Sequence, residues 1–476
     1  MQRDLRIPAG RRIQLSRSVP RVNKTPGVLG SGHRATTVGI VAVMTLVAFE
    51  GMAAATAMPV VVRSLHGLAL FAWTYNAWVA SSLVAMVLAG QWADRTGPRL
   101  PLSAGVACFA VGAVAAASAP NMATFIIGRA VQGLGAGACI VALYVLIARA
   151  YPESLRPKVF SVLSASWVVP SFVGPVVAGW LCDHVSWRAV FALAPIFVLP
   201  PLLLMYPQLA RYSGRREEPT AARAYHVPRA VAAAIGLVAF QQGLLMRGAL
   251  GSAAAVAGFG LLVWAARVLL PAGTFSVRIG LPAVIAVRAI VAGAYFCAEA
   301  FIPLALTSIR HVSTTTSGLV LTCGAVSWAI GSWTQGRSKS SRVQLAGVGS
   351  VIGTTAVASL PLCLWLPHPA LWAGASMLLG AFGMGMLFPS LGILTLRYSS
   401  LGDQGANSAA LQVSDSIGGV VLMSIAGALQ AAAVTAGGQT ASTFATIWWA
   451  MAVLLIAGVL LTRRMRAPEG FVPIAG

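Results

Sequence analysis

Apolar residues in this chain come in long runs, broken by short polar stretches that carry most of the charge. A helix needs about twenty consecutive apolar residues to cross a bilayer, each adding about 1.5 Å. By that measure the pattern predicts about fourteen spans, near 37–62, 70–92, 100–119, 123–148, 158–181, 189–206, 230–246, 250–270, 281–307, 317–335, 343–366, 370–396, 404–432 and 440–462. The predicted fold class is therefore an all-α integral membrane protein. The least regular spans are the short pair 230–246 and 250–270, separated by little more than Arg247 and Gly248.

The charges test this reading. With the N-terminus inside and the spans alternating, one side collects the basic tail from Arg3 to Arg34. It also collects Arg95, Arg99, Arg149, Arg156, Lys158, Arg211, Arg215, Arg216, Arg223, Arg229, Arg267, Arg278, Arg337, Lys339, Arg342, Arg397, Arg463, Arg464 and Arg466. The other side receives only Arg63, Arg188, Arg247 and Arg310, while Arg129 and Arg288 stay within spans. That bias is what the positive-inside rule requires, and it favours an even span count with both termini cytoplasmic. Residues 1–36 then form a basic cytoplasmic tail, expected to be flexible and in reach of anionic lipid. Residues 37–206 form one six-helix bundle, 207–228 a cytoplasmic loop, 229–270 two extra helices, 271–463 a second six-helix bundle, and 464–476 a short tail.

Composition agrees. Only 9% of residues are charged and 58% are hydrophobic, which a soluble surface does not tolerate. The net charge of +22 would suggest nucleic acid in a soluble chain, but here it follows topology, so no nucleic-acid partner is expected. Nearly all the basic residues are arginine, as in high-GC bacterial genomes, and the expected location is a bacterial cytoplasmic membrane. The six cysteines make no CxxC pair and the six histidines fall in loops and tails. No metal site, cofactor or enzyme chemistry is predicted. The expected partners are a small-molecule substrate, protons and the lipid bilayer, with the chain acting as a monomer.

Three stretches carry more specific information. Gly90-Gln91-Trp92-Ala93-Asp94-Arg95-Thr96-Gly97-Pro98-Arg99, in the loop after the second span, resembles the GxxxDRxGRR signature of the major facilitator superfamily, with Pro98 in place of a basic residue. Arg129-Ala130-Val131-Gln132-Gly133-Leu134-Gly135 in the fourth span resembles that superfamily's RxxQGxG motif. Pro170-Ser171-Phe172-Val173-Gly174-Pro175-Val176-Val177-Ala178-Gly179 in the fifth span is similar to its antiporter motif GxxxGPxxGG, with Pro170 and Ala178 replacing glycines. In the first span, Phe49-Glu50-Gly51 through Met58-Pro59 resembles a stretch of the fourteen-span drug:proton antiporters, with glutamate where that family has aspartate. The resemblance implies a major facilitator fold, two six-helix bundles plus two extra central helices. It also implies a proton-coupled secondary transporter that exports drug-like or amphipathic small molecules. The alternative within the same superfamily is a dedicated transporter of a metabolite such as a sugar or amino acid.

Ionisable groups inside a bilayer cost about 2.5–3.5 kcal/mol each on insertion scales, so they mark function or a partner. Glu50, Arg129, Glu299 and Asp415 are the expected proton-coupling residues. Glu50 lies midway along the first span, and Arg129 about 10 Å further toward the outer side by a rise of about 1.5 Å per residue, a gap that its long guanidinium can reach across. Arg288 and Glu299 are eleven residues apart, about three whole turns, and so share a stripe with Tyr295. Tyr75, Asn76, Gln132, Arg288 and Tyr295 are expected to line a substrate cavity. Gly90, Asp94, Arg95, Gly97 and Arg99 are expected to form a cytoplasmic gate, in which Asp94 meets the start of the thirteenth span at 405–408. Pro170, Gly174, Pro175 and Gly179 are expected to form the antiporter motif. Gln241 and Gln242, in the extra pair, are expected to join helices.

Overall fold

In lipid every backbone amide must find its partner within the chain, and a helix does so locally. The computed structural model describes residues 30, 33–152, 155–212, 226–246, 248–399 and 404–466, and sixteen α-helices occupy nearly all of them. They are α1 (Arg34–Ser64), α2 (Phe71–Thr96), α3 (Arg99–Ala117), α4 (Met122–Ala150), α5 (Arg156–Ala165), α6 (Val168–His184), α7 (Trp187–Leu209), α8 (His226–Leu245) and α9 (Ala249–Leu269). The second part of the chain holds α10 (Leu281–Ser308), α11 (Thr314–Arg337), α12 (Arg342–Ser359), α13 (Leu362–Trp365), α14 (Pro369–Arg397), α15 (Gln404–Thr435) and α16 (Ala441–Leu461). Most of the expected basic tail, residues 1–29 and 31–32, and the centre of the 207–228 loop lie outside the described residues.

Twelve segments among the described residues are long and apolar enough to cross a membrane, so this is a multi-pass membrane protein. α6 and α11 are not among the twelve. α6 is short because the predicted span 158–181 is broken at Ser166–Trp167 into α5 and α6. α11 is rich in hydroxyls, with Thr314, Ser317, Thr322, Ser327 and Thr334 along its length. Both are nonetheless packed into the bundle, α6 against α1 and α11, and α11 against α14.

Side-chain oxygens close several helix starts. Asn121 accepts from the Thr124 amide, Ser313 from Thr316, and Ser341 and Thr440 each form a capping box with the residue three positions on. Gly97 turns the chain between α2 and α3 at φ 85°, a left-handed conformation open to glycine and strained for other residues.

Helix packing repeats itself in the two bundles. α3 lies on α4 as α12 lies on α14, α2 on α4 as α11 on α14, α1 on α6 as α10 on α15, and α1 on α7 as α10 on α16. Contacts between the bundles obey the same exchange, with α6 against α11 and α15 against α2. One apolar core runs through both, from Met58 and Val61 of α1 to Phe301 of α10 and Trp448 of α16.

The extra pair, α8 and α9, packs on itself and lies beside the bundles, but it is not merely peripheral. α8 covers the seam between α2 and α15, one helix from each bundle. There Gln241 accepts a hydrogen bond of 2.8 Å from the Asn76 amide.

Candidate functional site

Two helices bring Glu50 and Arg129 together. α4 is drawn close to α2 because Gly133 has no side chain: a Cβ there would strike the Trp78 carbonyl and Ser81. This close approach sets Arg129, one turn earlier, between α1 and α2. Its guanidinium pairs directly with Glu50 and donates to Gln132 Oε1 at 2.8 Å and to the Thr74 carbonyl at 3.2 Å. Trp78 and Phe191 stand 5.9 Å and 6.0 Å from it, closing the sides. Glu50 and Arg129 are 1% and 3% exposed, so the pair is removed from water and its attraction is little screened. Among the described residues, Glu50 Oε2 and Gln132 Nε2 have no hydrogen-bond partner. The next residue, Gly51, faces open space, with nothing within 4 Å of a Cβ. The site is therefore a fixed cation and a carboxylate with one spare oxygen.

The second bundle holds a related glutamate without the cation. Glu299 lies past the middle of α10 as Glu50 does in α1, and Ser376 is the eighth residue of α14 as Arg129 is of α4. Glu299, Tyr295 and Ser376 line one small cleft of about 10 Å³, room for about one water molecule. Glu299 has no hydrogen bond or ion pair among the described residues. The hydroxyls of Tyr75 and Tyr295 are buried without a hydrogen-bond partner among the described residues.

Two of the residues expected to line a cavity are paired in the structure. One of them is Arg288. It is 9% exposed, and its guanidinium grips Asp415 with two bonds, one of them Nη2 to Oδ2 at 2.6 Å, tying α10 to α15. Asn76 is 2% exposed, and its amide donates to Gln241 and, at 2.9 Å, to Ser424. It thus joins three helices at the seam, because a buried amide must satisfy its donors.

Sequence reasoning missed an aromatic wall. Phe296, 42% exposed, is the sole exposed residue of α10, a helix otherwise enclosed by neighbours. It packs with Trp328 of α11 and Phe388 of α14 at centroid distances of 6.1 Å and 5.7 Å. The Arg288 guanidinium lies 3.5 Å from the centre of the Phe388 ring. The only sequence signal was a set of separate aromatics on three helices.

The antiporter-motif helix, α6, touches both bundles. Gly174 faces Met52 and Phe49 of α1, beside Glu50. Further along, a Cβ on Gly318 of α11 would strike the Pro175 carbonyl, and one on Gly179 would fall 2.6 Å from Thr315 Cα. Pro170 and Pro175 are buried. At the end of α6, Asp183 accepts from the Thr314 and Thr315 amides at 3.2 Å and 2.8 Å, and from the Thr315 hydroxyl at 2.7 Å. Gln430 of α15 donates to the Leu68 carbonyl ahead of α2 at 2.8 Å.

In the loop signature, Gly90 and Asp94 lie on the last turns of α2, and Arg95 is exposed. Arg149 of α4 donates to the Ala93 carbonyl at 3.1 Å, and Arg99 to the Tyr206 hydroxyl at 2.7 Å. The meeting place expected for Asp94, at 405–408, falls partly on side chains outside the described residues.

Comparison with known proteins agrees with this architecture. The family model of the Major Facilitator Superfamily matches residues 40–423. A probable multidrug-efflux transporter of Mycobacterium tuberculosis is 26% identical over 424 residues, 85% of this chain and 88% of that protein. A multidrug transporter protein of Bacillus subtilis is 31% identical over 153 residues, 32% of this chain and only 28% of its own length. Among solved structures, a POT family transporter in complex with 5-aminolevulinic acid aligns with TM-score 0.67 at 12% identity, covering 93% of this chain and 98% of that one. That last likeness is one of fold. With two matched six-helix bundles, the loop signature at their edge and a family match over most of its length, the chain belongs to the Major Facilitator Superfamily and is a transporter, not an enzyme.

Proposed function

We propose that the protein is a proton-coupled antiporter that exports drug-like, amphipathic small molecules. It works as a monomer of fourteen spans in a bacterial cytoplasmic membrane, with both ends on the arginine-rich, cytoplasmic side. The observation that carries this reading is the buried Glu50–Arg129 pair with its spare carboxylate oxygen. A carboxylate so placed exchanges a proton for a cation. When a proton neutralises Glu50, Arg129 keeps Gln132 and the Thr74 carbonyl as acceptors, so the cation is not stranded. When substrate enters, the attraction of Arg129 favours the carboxylate, and the proton leaves. A cationic substrate adds to the same effect. Proton and substrate thus compete for one state of the protein, which is the logic of exchange. Glu299, with no cation beside it, is the second proton carrier in this reading. The aromatic wall of Phe296, Trp328 and Phe388 offers flat apolar faces to the substrate.

The efflux name of the Mycobacterium tuberculosis relative supports export over import. The test is direct. Inverted vesicles containing the protein are given a pH gradient, acid inside, and then an amphipathic dye. Dye accumulation with matching loss of the gradient is expected. Dye movement with the gradient untouched would contradict proton coupling, and failure across a broad dye panel together with uptake of a sugar or amino acid would favour the metabolite alternative.

A further inference from the structure

Away from the glutamates, the extra pair and the second bundle enclose a groove of about 190 Å³. Phe259, Val263 and Ala266 of α9 form one wall, Ile290 of α10 and Val421 of α15 the other, and Phe275 of the following loop stands at one end. Every lining residue is apolar, so water gains nothing by filling it. Phe259 and Phe275 are 44% and 51% exposed, so the groove opens sideways.

Three arginines lie on or against the segments at one end of this groove. Arg267 follows Ala266 in the last turn of α9, and Arg278 lies three residues beyond Phe275, its side chain folded back across Gly273. Arg464, just past α16, donates to the Val277 carbonyl of the same loop. All three arginines are exposed. No acidic residue occurs between Glu218 and Glu299, or between Asp415 and Glu469, so these segments bring no carboxylate to match them. Hydrocarbon slot and arginine crown therefore share one leaflet, and together they have the chemistry of a lipid with a charged phosphate. Guanidinium forks bind phosphate in pairs of bonds, and the apolar walls take the chain.

We propose that this groove is a site for one anionic phospholipid, its acyl chain between α9 and the second bundle and its phosphate on Arg267 and Arg278. The site goes beyond the transport reading and does not depend on proton coupling. Native mass spectrometry of the full chain, released from micelles that hold equal phosphatidylglycerol and phosphatidylcholine, tests it. The wild-type protein should retain phosphatidylglycerol over phosphatidylcholine by on the order of tenfold. Arg267→Ala with Arg278→Ala should bring the two lipids to parity, while Arg267→Lys with Arg278→Lys should keep most of the preference. Val263→Trp, which fills the slot and leaves the arginines, should lower retention of both lipids. Equal retention by the wild type, an undiminished preference in the double alanine variant, or a second copy of the chain in place of lipid would overturn the proposal.

Discussion

Asp183 of α6 caps the start of α11, accepting the Thr315 amide at 2.8 Å and the Thr315 hydroxyl at 2.7 Å. The two helices belong to different bundles, so this contact holds the bundles together at the end away from the arginine-rich side. A carboxylate at a helix start also meets the positive end of the helix dipole. Partial burial alone would push the Asp183 carboxyl up, but the hydrogen bonds from Thr315 and Thr314 outweigh it and hold it below its ordinary 3.8. The contact is therefore complete above the ordinary carboxylate range and is lost as pH falls through the lowered value. Asp183→Ala should shift the population toward forms open at this end. A cysteine placed at Thr315 should react several-fold faster with an impermeant thiol reagent in that variant, and equal rates would contradict the latch.

The loop signature is the proposed counterpart on the arginine-rich side. Asp94→Ala should cut transport strongly while the protein remains folded and inserted, and it should favour forms open to that side. Cysteine probes on the cytoplasmic loops report the change. Unaltered labelling, with transport lost, would mean that Asp94 acts other than as a gate.

Arg288 and Asp415 make a different case. They are 11% and 14% exposed by side chain, and each neutralises the other. Asp415→Asn should cost on the order of 3–5 kcal/mol, because it leaves a buried cation unmatched. Replacing both, as Arg288→Met with Asp415→Leu, should restore most of that loss in thermal unfolding, and proton-driven transport should return with it. A stable double variant without proton-driven transport would make Asp415 a proton carrier after all.

The helices were legible in the sequence because a bilayer imposes one length and one polarity on each span. Glu50 and Arg129 were legible as well, since charge is rare in lipid and the Gly-rich stretch after Arg129 signals close packing. Partners far apart in the chain were not. Asn76 meets Ser424 across 348 positions, and Arg288 meets Asp415 across 127. Helical periodicity tells which residues share a face, and not which helix that face meets. The same limit put Arg288 beside Glu299 by spacing, when the neighbouring α15 supplied a nearer acid. Phe296, Trp328 and Phe388 went unnoticed because aromatics are ordinary in lipid and only their contact across three helices of the second bundle sets them apart. Asp183 sits at a helix end, where a carboxylate carries no sign of the helix it will cap.

The central claim is that Glu50 exchanges a proton for substrate, with Arg129 as the fixed cation beside it. Glu50→Gln keeps the shape and one acceptor oxygen for Arg129 but cannot release a proton. The most direct measurement places equal amounts of folded wild-type and Glu50→Gln protein in proteoliposomes, with a neutral substrate. It compares uphill transport under a pH gradient with counterflow exchange at equal pH. The account predicts that the variant loses uphill transport while counterflow survives at a rate within a few-fold of wild type. Full proton-driven uphill transport by Glu50→Gln would contradict it.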